Sequence, residues 1–229
     1  MPRPPPMLHT VLARLKFTGR SPAGILIAAA LATVLFGAPA AKANQSFVPK
    51  RPGEVIFLRG LANIFSLGLD TLSEELRRYG VYSYVHNHKD WDKIGQQLIA
   101  KSRKGKLTYP IVIIGHSLGA GASPKLATMI GQEGIAVQYM VMLDAVEPLP
   151  VTNYVEDAIN YYLPKRRGQN LITASKDFEG AYKNVNVKER LQGIDHFNID
   201  ENEILRGQMT KRIFELIKVE EAELRQEGR

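Results

Sequence analysis

The chain has 229 residues, of which 45% are hydrophobic and 23% charged, and it contains no cysteine. This length suits one ordinary globular domain and leaves too little for two full domains. The formal net charge is +7, but residues 1–43 hold five basic and no acidic side chains. Without those five the net charge is +2, so the charge balance indicates no nucleic-acid partner.

The first 43 residues have the three parts of a secretory signal peptide. A basic stretch ends at Arg20, an apolar run extends from Ala23 to Ala38, and the small residues Ala41 and Ala43 frame a cleavage site at 41–43. We expect cleavage after Ala43, export to the periplasm or the medium, and a mature domain of residues 44–229. The alternative is an uncleaved membrane anchor, although the uncharged run is only marginally long enough to span a bilayer.

After the leader, short apolar segments alternate with amphipathic ones. This alternation predicts an α/β fold, a mostly parallel central sheet with helices on both faces. The short distance between leader and first strand indicates a sheet trimmed on its amino-terminal side. The elements predicted in the first half are a strand at 54–59, a helix from a Thr71–Glu74 capping box to Gly80, a strand at 81–85 and a helix at 92–101.

The second half continues this alternation. Its predicted elements are a strand at 111–114, a helix at 119–130, a strand at 137–143, a short helix at 155–162, strands at 170–174 and 183–187, and a helix from Glu203. The strand at 111–114 should be central, because a run that is apolar on both faces needs cover on both sides. Residues 148–168 are predicted to leave the sheet as an excursion. Their basic triplet at 165–167 is interpreted as a solvated loop.

The pentapeptide Gly115-His116-Ser117-Leu118-Gly119 lies between the strand at 111–114 and the following helix. A G-x-S-x-G sequence at a strand-to-helix turn is typical of a nucleophile elbow. Glycines two residues either side of the serine allow the sharp turn, and the helix directs its first N–H groups toward developing negative charge. We therefore predict Ser117 as a catalytic nucleophile.

From about Val55 to Asp200 the chain resembles the α/β-hydrolase superfamily, particularly its small lipase-like and thioesterase-like members. The segment Arg59-Gly60-Leu61 matches the superfamily's His-Gly-hydrophobic turn, with Arg59 in place of the histidine. The resemblance implies that the backbone N–H groups of Leu118 and Leu61 form an oxyanion hole. It also implies the chain order serine, acid, histidine.

A serine hydroxyl needs a histidine to take its proton and an acid to hold that histidine. Only His196 follows the elbow, in the loop before the last predicted helix. Two acids compete, Asp144 after the strand at 137–143 and Asp177 after the strand at 170–174. We favour Asp144, because a single helix joins its strand to the nucleophile strand and sequential parallel strands usually lie side by side.

The expected activity is hydrolysis of a carboxylic ester, or a thioester, through an acyl-enzyme, with a small-molecule or lipid acyl ester as substrate. No cofactor or metal is expected, and a membrane partner only through an uncleaved leader. One alternative is a metal-dependent hydrolase that uses His86, His88 and Asp90, which match the H-x-H-x-D start of a metallo-β-lactamase-like site. That motif continues with a further histidine, and this chain has Trp91 at that position. The other is a non-catalytic binding protein with a hydrolase-like fold.

Overall fold

The computed structural model describes residues 47–61, 66–164 and 170–219. The predicted signal peptide, its predicted cleavage site and the basic triplet at 165–167 lie outside the described residues. The strands are β1 (Glu54–Arg59), β2 (Tyr82–Asn87), β3 (Ile111–His116), β4 (Tyr139–Leu143), β5 (Asp157–Tyr162) and β6 (Ala181–Asn186). The helices are α1 (Leu67–Arg78), α2 (Trp91–Arg103), α3 (Leu118–Gly131) and α4 (Glu203–Ile217). None of the described helices is long and apolar enough to cross a membrane.

The six strands form one parallel sheet in the order β2-β1-β3-β4-β5-β6. Strand β3 lies between β1 and β4, and all its residues are buried. The predicted α/β class with a central parallel sheet is thereby confirmed. Because parallel strands all end at one edge, the segments after β1, β3 and β4 meet at the same place.

Two apolar cores cover the two faces of the sheet. Since side chains alternate along a strand, Phe57 and Ile114 face one core while Leu58 and Ile113 face the other. Helices α1 and α4 close the first core, and α2 and α3 close the second. Burial on both faces therefore fixes the strands whose carboxyl ends form this edge.

Two predicted elements in the second half are wrong. The short helix at 155–162 is instead strand β5, paired with β4 on one side and β6 on the other. Its β-branched and aromatic side chains favour a strand, and two neighbouring strands satisfy its backbone on both edges. Thus residues 157–162 of the predicted excursion belong to the sheet.

The predicted strand at 170–174 does not join the sheet. Among the described residues it makes a single bridge, between Val151 and Ala174. The Asn184 side chain instead bonds both the N–H and the carbonyl of Ile172, at 3.0 Å each. At Ile172 an amide side chain thus makes the hydrogen bonds that a neighbouring strand would otherwise make with the backbone.

Helix α1 begins at Leu67, four residues before the predicted capping box at Thr71. The Gly68 N–H donates to Asp200 Oδ2 at 2.9 Å, so a carboxylate far along the chain satisfies the first turn. Thr71 lies inside the helix and donates from its hydroxyl to the carbonyl of Leu67. The local capping prediction is wrong because the cap comes from tertiary contact.

Candidate active site

Ser117 lies at the sharp turn between β3 and α3. Its φ of 58° and ψ of −118° place a non-glycine residue in a strained conformation, as expected of a nucleophile elbow. A Cβ on Gly119 would stand 1.9 Å from the carbonyl oxygen of Leu58, and one on Gly115 would stand 2.4 Å from that of Gly119. Glycine is therefore required on both sides of the serine for the backbones to approach this closely.

His196 bridges Ser117 and Asp144. Its Nε2 lies 2.9 Å from the Ser117 Oγ, and its Nδ1 lies 2.6 Å from Asp144 Oδ2. Because the carboxylate accepts from Nδ1–H, the opposite nitrogen can accept the serine proton. The structure thus brings together the three residues predicted from the sequence as nucleophile, base and acid.

Asp144, and not Asp177, lies beside His196. Asp144 follows β4, which neighbours β3 as predicted, and its side chain is buried. Its Oδ1 accepts from the Leu163 N–H at 3.2 Å and from Asn170 Nδ2 at 2.8 Å, which leaves Oδ2 directed at the histidine. Asp177 lies in an exposed loop, where it accepts a hydrogen bond from Ser175.

The segment after β1 lies against Ser117. A Cβ on Gly60 would stand only 2.9 Å from the Ser117 Cβ, so the chain passes closer than a side chain would allow. Leu61 follows, with an exposed side chain, and Leu118 is the first residue of α3, whose N–H has no acceptor within the helix. Arg59, at the position of the superfamily's histidine, pairs with Asp70 of α1.

His116, inside the elbow, links the histidine loop to Ser66 by hydrogen bonds. Its Nε2 lies 2.7 Å from the carbonyl oxygen of His196, and its Nδ1 lies 2.6 Å from the Ser66 Oγ. Burial lowers the pKa of His116 to about 4, so the ring is neutral at pH 7. The carbonyl can only accept, hence Nε2 carries the proton and Nδ1 accepts from the Ser66 hydroxyl.

Asp200 is a buried carboxyl that was not predicted from the sequence. Burial raises its pKa to about 6. Its Oδ2 accepts from Gly68, while within the described residues its Oδ1 has no hydrogen-bond donor and lies 3.8 Å from His116 Nδ1. No local motif marks this residue, because its partners are set only when α1 packs against the loop before α4.

A cavity of about 340 Å³ opens directly above Ser117. Apart from Ser117, its lining residues are Gly60, Leu61, His116, Leu118, Val146, His196 and Phe197. A second cavity of about 360 Å³ shares Leu118 and Val146 with the first and is more polar, with His88, Lys89 and Lys125 in its lining. A substrate at Ser117 would therefore meet an apolar surface on one side and basic groups beyond it.

The alternative metal site is not assembled. In the parts of the chain that the structure describes, no three histidine, cysteine or acidic side chains are placed to share a metal ion. His88 directs its Nδ1 to the carbonyl of Gly60 at 3.1 Å, and Asp90 pairs with Lys93. Burial lowers the pKa of His86. His88 and Asp90 thus each have a protein partner, and the charge of Asp90 also acts on His86.

A parallel sheet with this order, a strained serine after its central strand and a histidine after its last strand is the architecture of the α/β-hydrolase superfamily. The chain has this fold. No protein-family model matches the sequence, and no curated protein sequence matches it.

Several solved structures resemble the chain in fold. The thioesterase domain that cyclizes the lipopeptide antibiotic surfactin is 12% identical, with a TM-score of 0.43 over 70% of this chain and 91% of that one. A type II thioesterase from the borrelidin biosynthetic cluster is 10% identical, with a TM-score of 0.43 over 70% and 92%. An α/β-superfamily hydrolase from Xanthomonas campestris pv. campestris is 15% identical, with a TM-score of 0.41 over 72% and 99%.

Proposed function

We propose that the protein is a serine hydrolase that cleaves carboxylic esters, or thioesters, through an acyl-enzyme. The observation that carries the proposal is the continuous hydrogen-bond chain from Ser117 through His196 to Asp144, at 2.9 and 2.6 Å. These distances are within the reach required of a nucleophile, its base and the group that orients the base.

In the proposed mechanism the Ser117 Oγ attacks the substrate's carbonyl carbon while His196 Nε2 takes the hydroxyl proton. The resulting oxyanion accepts from the N–H groups of Leu118 and Leu61, each of which contributes a factor of about 10² to 10³ in rate. Collapse of the tetrahedral intermediate breaks the bond to the alcohol or thiol, which receives the proton from His196. Water, deprotonated by His196, then attacks the acyl-enzyme and releases the carboxylic acid and Ser117.

The cavity above Ser117 supports a substrate with a small apolar acyl group. Its volume lies at the lower end of the range for small-molecule sites, and Leu61, Val146 and Phe197 give it apolar walls. Esters are our first substrate class and thioesters the second, because one oxyanion hole serves both. Paired assays on an ester and a thioester with the same acyl group would rank the two classes.

The test is covalent labelling by an alkyl or aryl phosphonate, followed by peptide mapping. We expect the label on Ser117, none on the Ser117→Ala variant, and no effect of chelators. On short-chain aryl esters, Ser117→Ala and His196→Ala should each lose about 10⁴-fold or more in kcat/KM, while their thermal unfolding stays close to that of the parent protein.

The competing functions give different results. A non-catalytic binding protein would bind esters without labelling or turnover, and a metal-dependent hydrolase would lose activity to chelators. Near-normal turnover in either alanine variant would contradict the proposed triad.

A further inference from the structure

The peptide group that joins Gly60 and Leu61 borders the cavity above Ser117. Two hydrogen bonds hold Gly60. Its N–H donates to the Ser66 Oγ at 3.3 Å, and its carbonyl oxygen lies 3.1 Å from His88 Nδ1. The first bond fixes the residue, and the second fixes the plane of the peptide that follows it.

The plane of this peptide decides where the Leu61 N–H points. In a trans peptide the carbonyl and the N–H of one unit point in opposite directions. A carbonyl can only accept, so His88 Nδ1 carries a proton and donates to it. When His88 holds the Gly60 carbonyl on its own side, the Leu61 N–H must point away from His88.

The sheet itself places His88 beside Gly60. Strands β1 and β2 are parallel and in register, with Leu58 opposite His86 and Arg59 opposite Asn87. Gly60 is the first residue after β1 and His88 the first after β2, so the two residues lie side by side. His88 begins a short 3₁₀ helix, His88–Asp90, and its side chain is half-buried.

We propose that His88 is a positioning residue for the oxyanion hole, which holds the Gly60 carbonyl so that the Leu61 N–H faces the tetrahedral oxyanion. The inference rests on the proposed function. It gives a role to the segment from His86 to Asp90, which has the spacing of a metal-binding motif but assembles no metal site. His88 contacts none of the reacting atoms, and it acts only through the peptide.

The other hydrogen bond of Gly60, to Ser66, belongs to a chain of hydrogen bonds that reaches the histidine loop. Ser66 donates to His116, and His116 donates to the carbonyl of His196. His88 stands outside this buried chain, so its replacement should misalign one oxyanion donor and leave the base in place. A short-chain ester fills only the cavity at Ser117 and does not reach the second cavity, which His88 lines. With such a substrate the expected change is therefore in catalysis and not in substrate binding.

A matched pair of variants tests the proposal. Asparagine carries an amide nitrogen the same number of bonds from Cα as the histidine Nδ1, so His88→Asn can still donate to the Gly60 carbonyl. Leucine has the same branched shape without a donor. We expect His88→Leu to lower kcat on a short-chain aryl ester by about 10- to 100-fold with KM close to the parent value, and His88→Asn to recover most of that loss.

A second readout isolates the tetrahedral state. A trifluoromethyl ketone adds reversibly to Ser117 and creates an oxyanion, so its affinity should fall in parallel with kcat in His88→Leu and recover in His88→Asn. If His88→Leu does not fold, His88→Ala replaces it in both measurements. Unchanged kcat in the leucine variant, or an asparagine variant as slow as the leucine one, would overturn the role of His88.

These results are separable from a failure of the proposed function. If the parent protein neither turns over esters nor is labelled at Ser117, the proposed function fails. If the parent is active and labelled while the His88 variants behave alike, only the positioning role fails.

Discussion

At Asp144, the two carboxylate oxygens have different partners, and this division fixes the tautomer of His196. Oδ1 accepts from the Leu163 N–H and the Asn170 amide, and Oδ2 accepts from His196 Nδ1. An asparagine here would keep its oxygen toward the two donors and turn its NH₂ toward His196. Nδ1 would then have to accept, and Nε2 would carry the proton and could not accept one from Ser117.

Asp144→Asn should therefore lower kcat on short-chain aryl esters by about 10⁴-fold, with thermal unfolding that remains cooperative. Asp177→Asn is the matched control, since Asp177 lies in an exposed loop where it accepts from Ser175, and its kinetics should stay close to those of the parent protein. The reverse ranking in steady-state assays would reject Asp144 as the acid.

At the scale of elements, the elbow depends on close packing between α3 and β1. A Cβ on Gly119 would meet the Leu58 carbonyl oxygen at 1.9 Å, and backbone cannot yield as a side chain can. Gly207 lies in α4, where an added Cβ would meet nothing within 4 Å in the described part of the chain. Gly119→Ala should lower the free energy of unfolding by about 1–3 kcal/mol or more, whereas Gly207→Ala should raise it by about 0.5–1 kcal/mol. Urea denaturation of both variants measures the contrast, and equal effects would contradict the packing argument.

At the scale of the whole molecule, the buried Asp200 carboxyl makes stability depend on pH. Burial raises its pKa to about 6 in the folded protein from an ordinary value of 3.8, so the folded chain binds the proton more tightly than the unfolded chain. The burial of its charge destabilises the protein above pH 6, by up to about 3 kcal/mol, and this penalty disappears as the pH falls from 6 toward 4.

Asp200→Asn should remove the penalty, since an amide oxygen can still accept from Gly68. The melting temperature of the variant should exceed that of the parent protein at pH 8, and the difference should shrink at pH 5 and below. Asp177→Asn serves as the exposed control. A difference that is the same at both pH values would show that the Asp200 charge is not the cause.

Export would also be a property of the whole chain, and we propose that the protein is exported and that its mature form begins near Asn44. Amino-terminal sequencing of the protein from an exporting host should find residues 44 onward. Retention of Met1 in a membrane fraction would favour the anchor.

The features that could be predicted from the sequence are those that depend on neighbouring residues or on the order of segments along the chain. Neighbouring residues alone define the apolar run at 111–114 and the glycines around Ser117. The direction of the chain alone leaves His196 as the candidate base. The parallel sheet with helices on both faces follows from the alternation of apolar and amphipathic segments, since each must bury its apolar side.

The tertiary structure alone decided the contacts between distant residues. It placed Asp144, and not Asp177, within hydrogen-bond distance of His196, because the end of β4 lies beside the histidine loop. It also placed residues 157–162 in the sheet as β5, where pairing with β4 and β6 replaces the predicted helix. Ser66 and His116 are 50 residues apart and Gly68 and Asp200 are 132 apart, yet both pairs form buried hydrogen bonds. Such pairs leave no periodic signal in the chain, because burial and hydrogen bonding select them only after the helices have packed on the sheet.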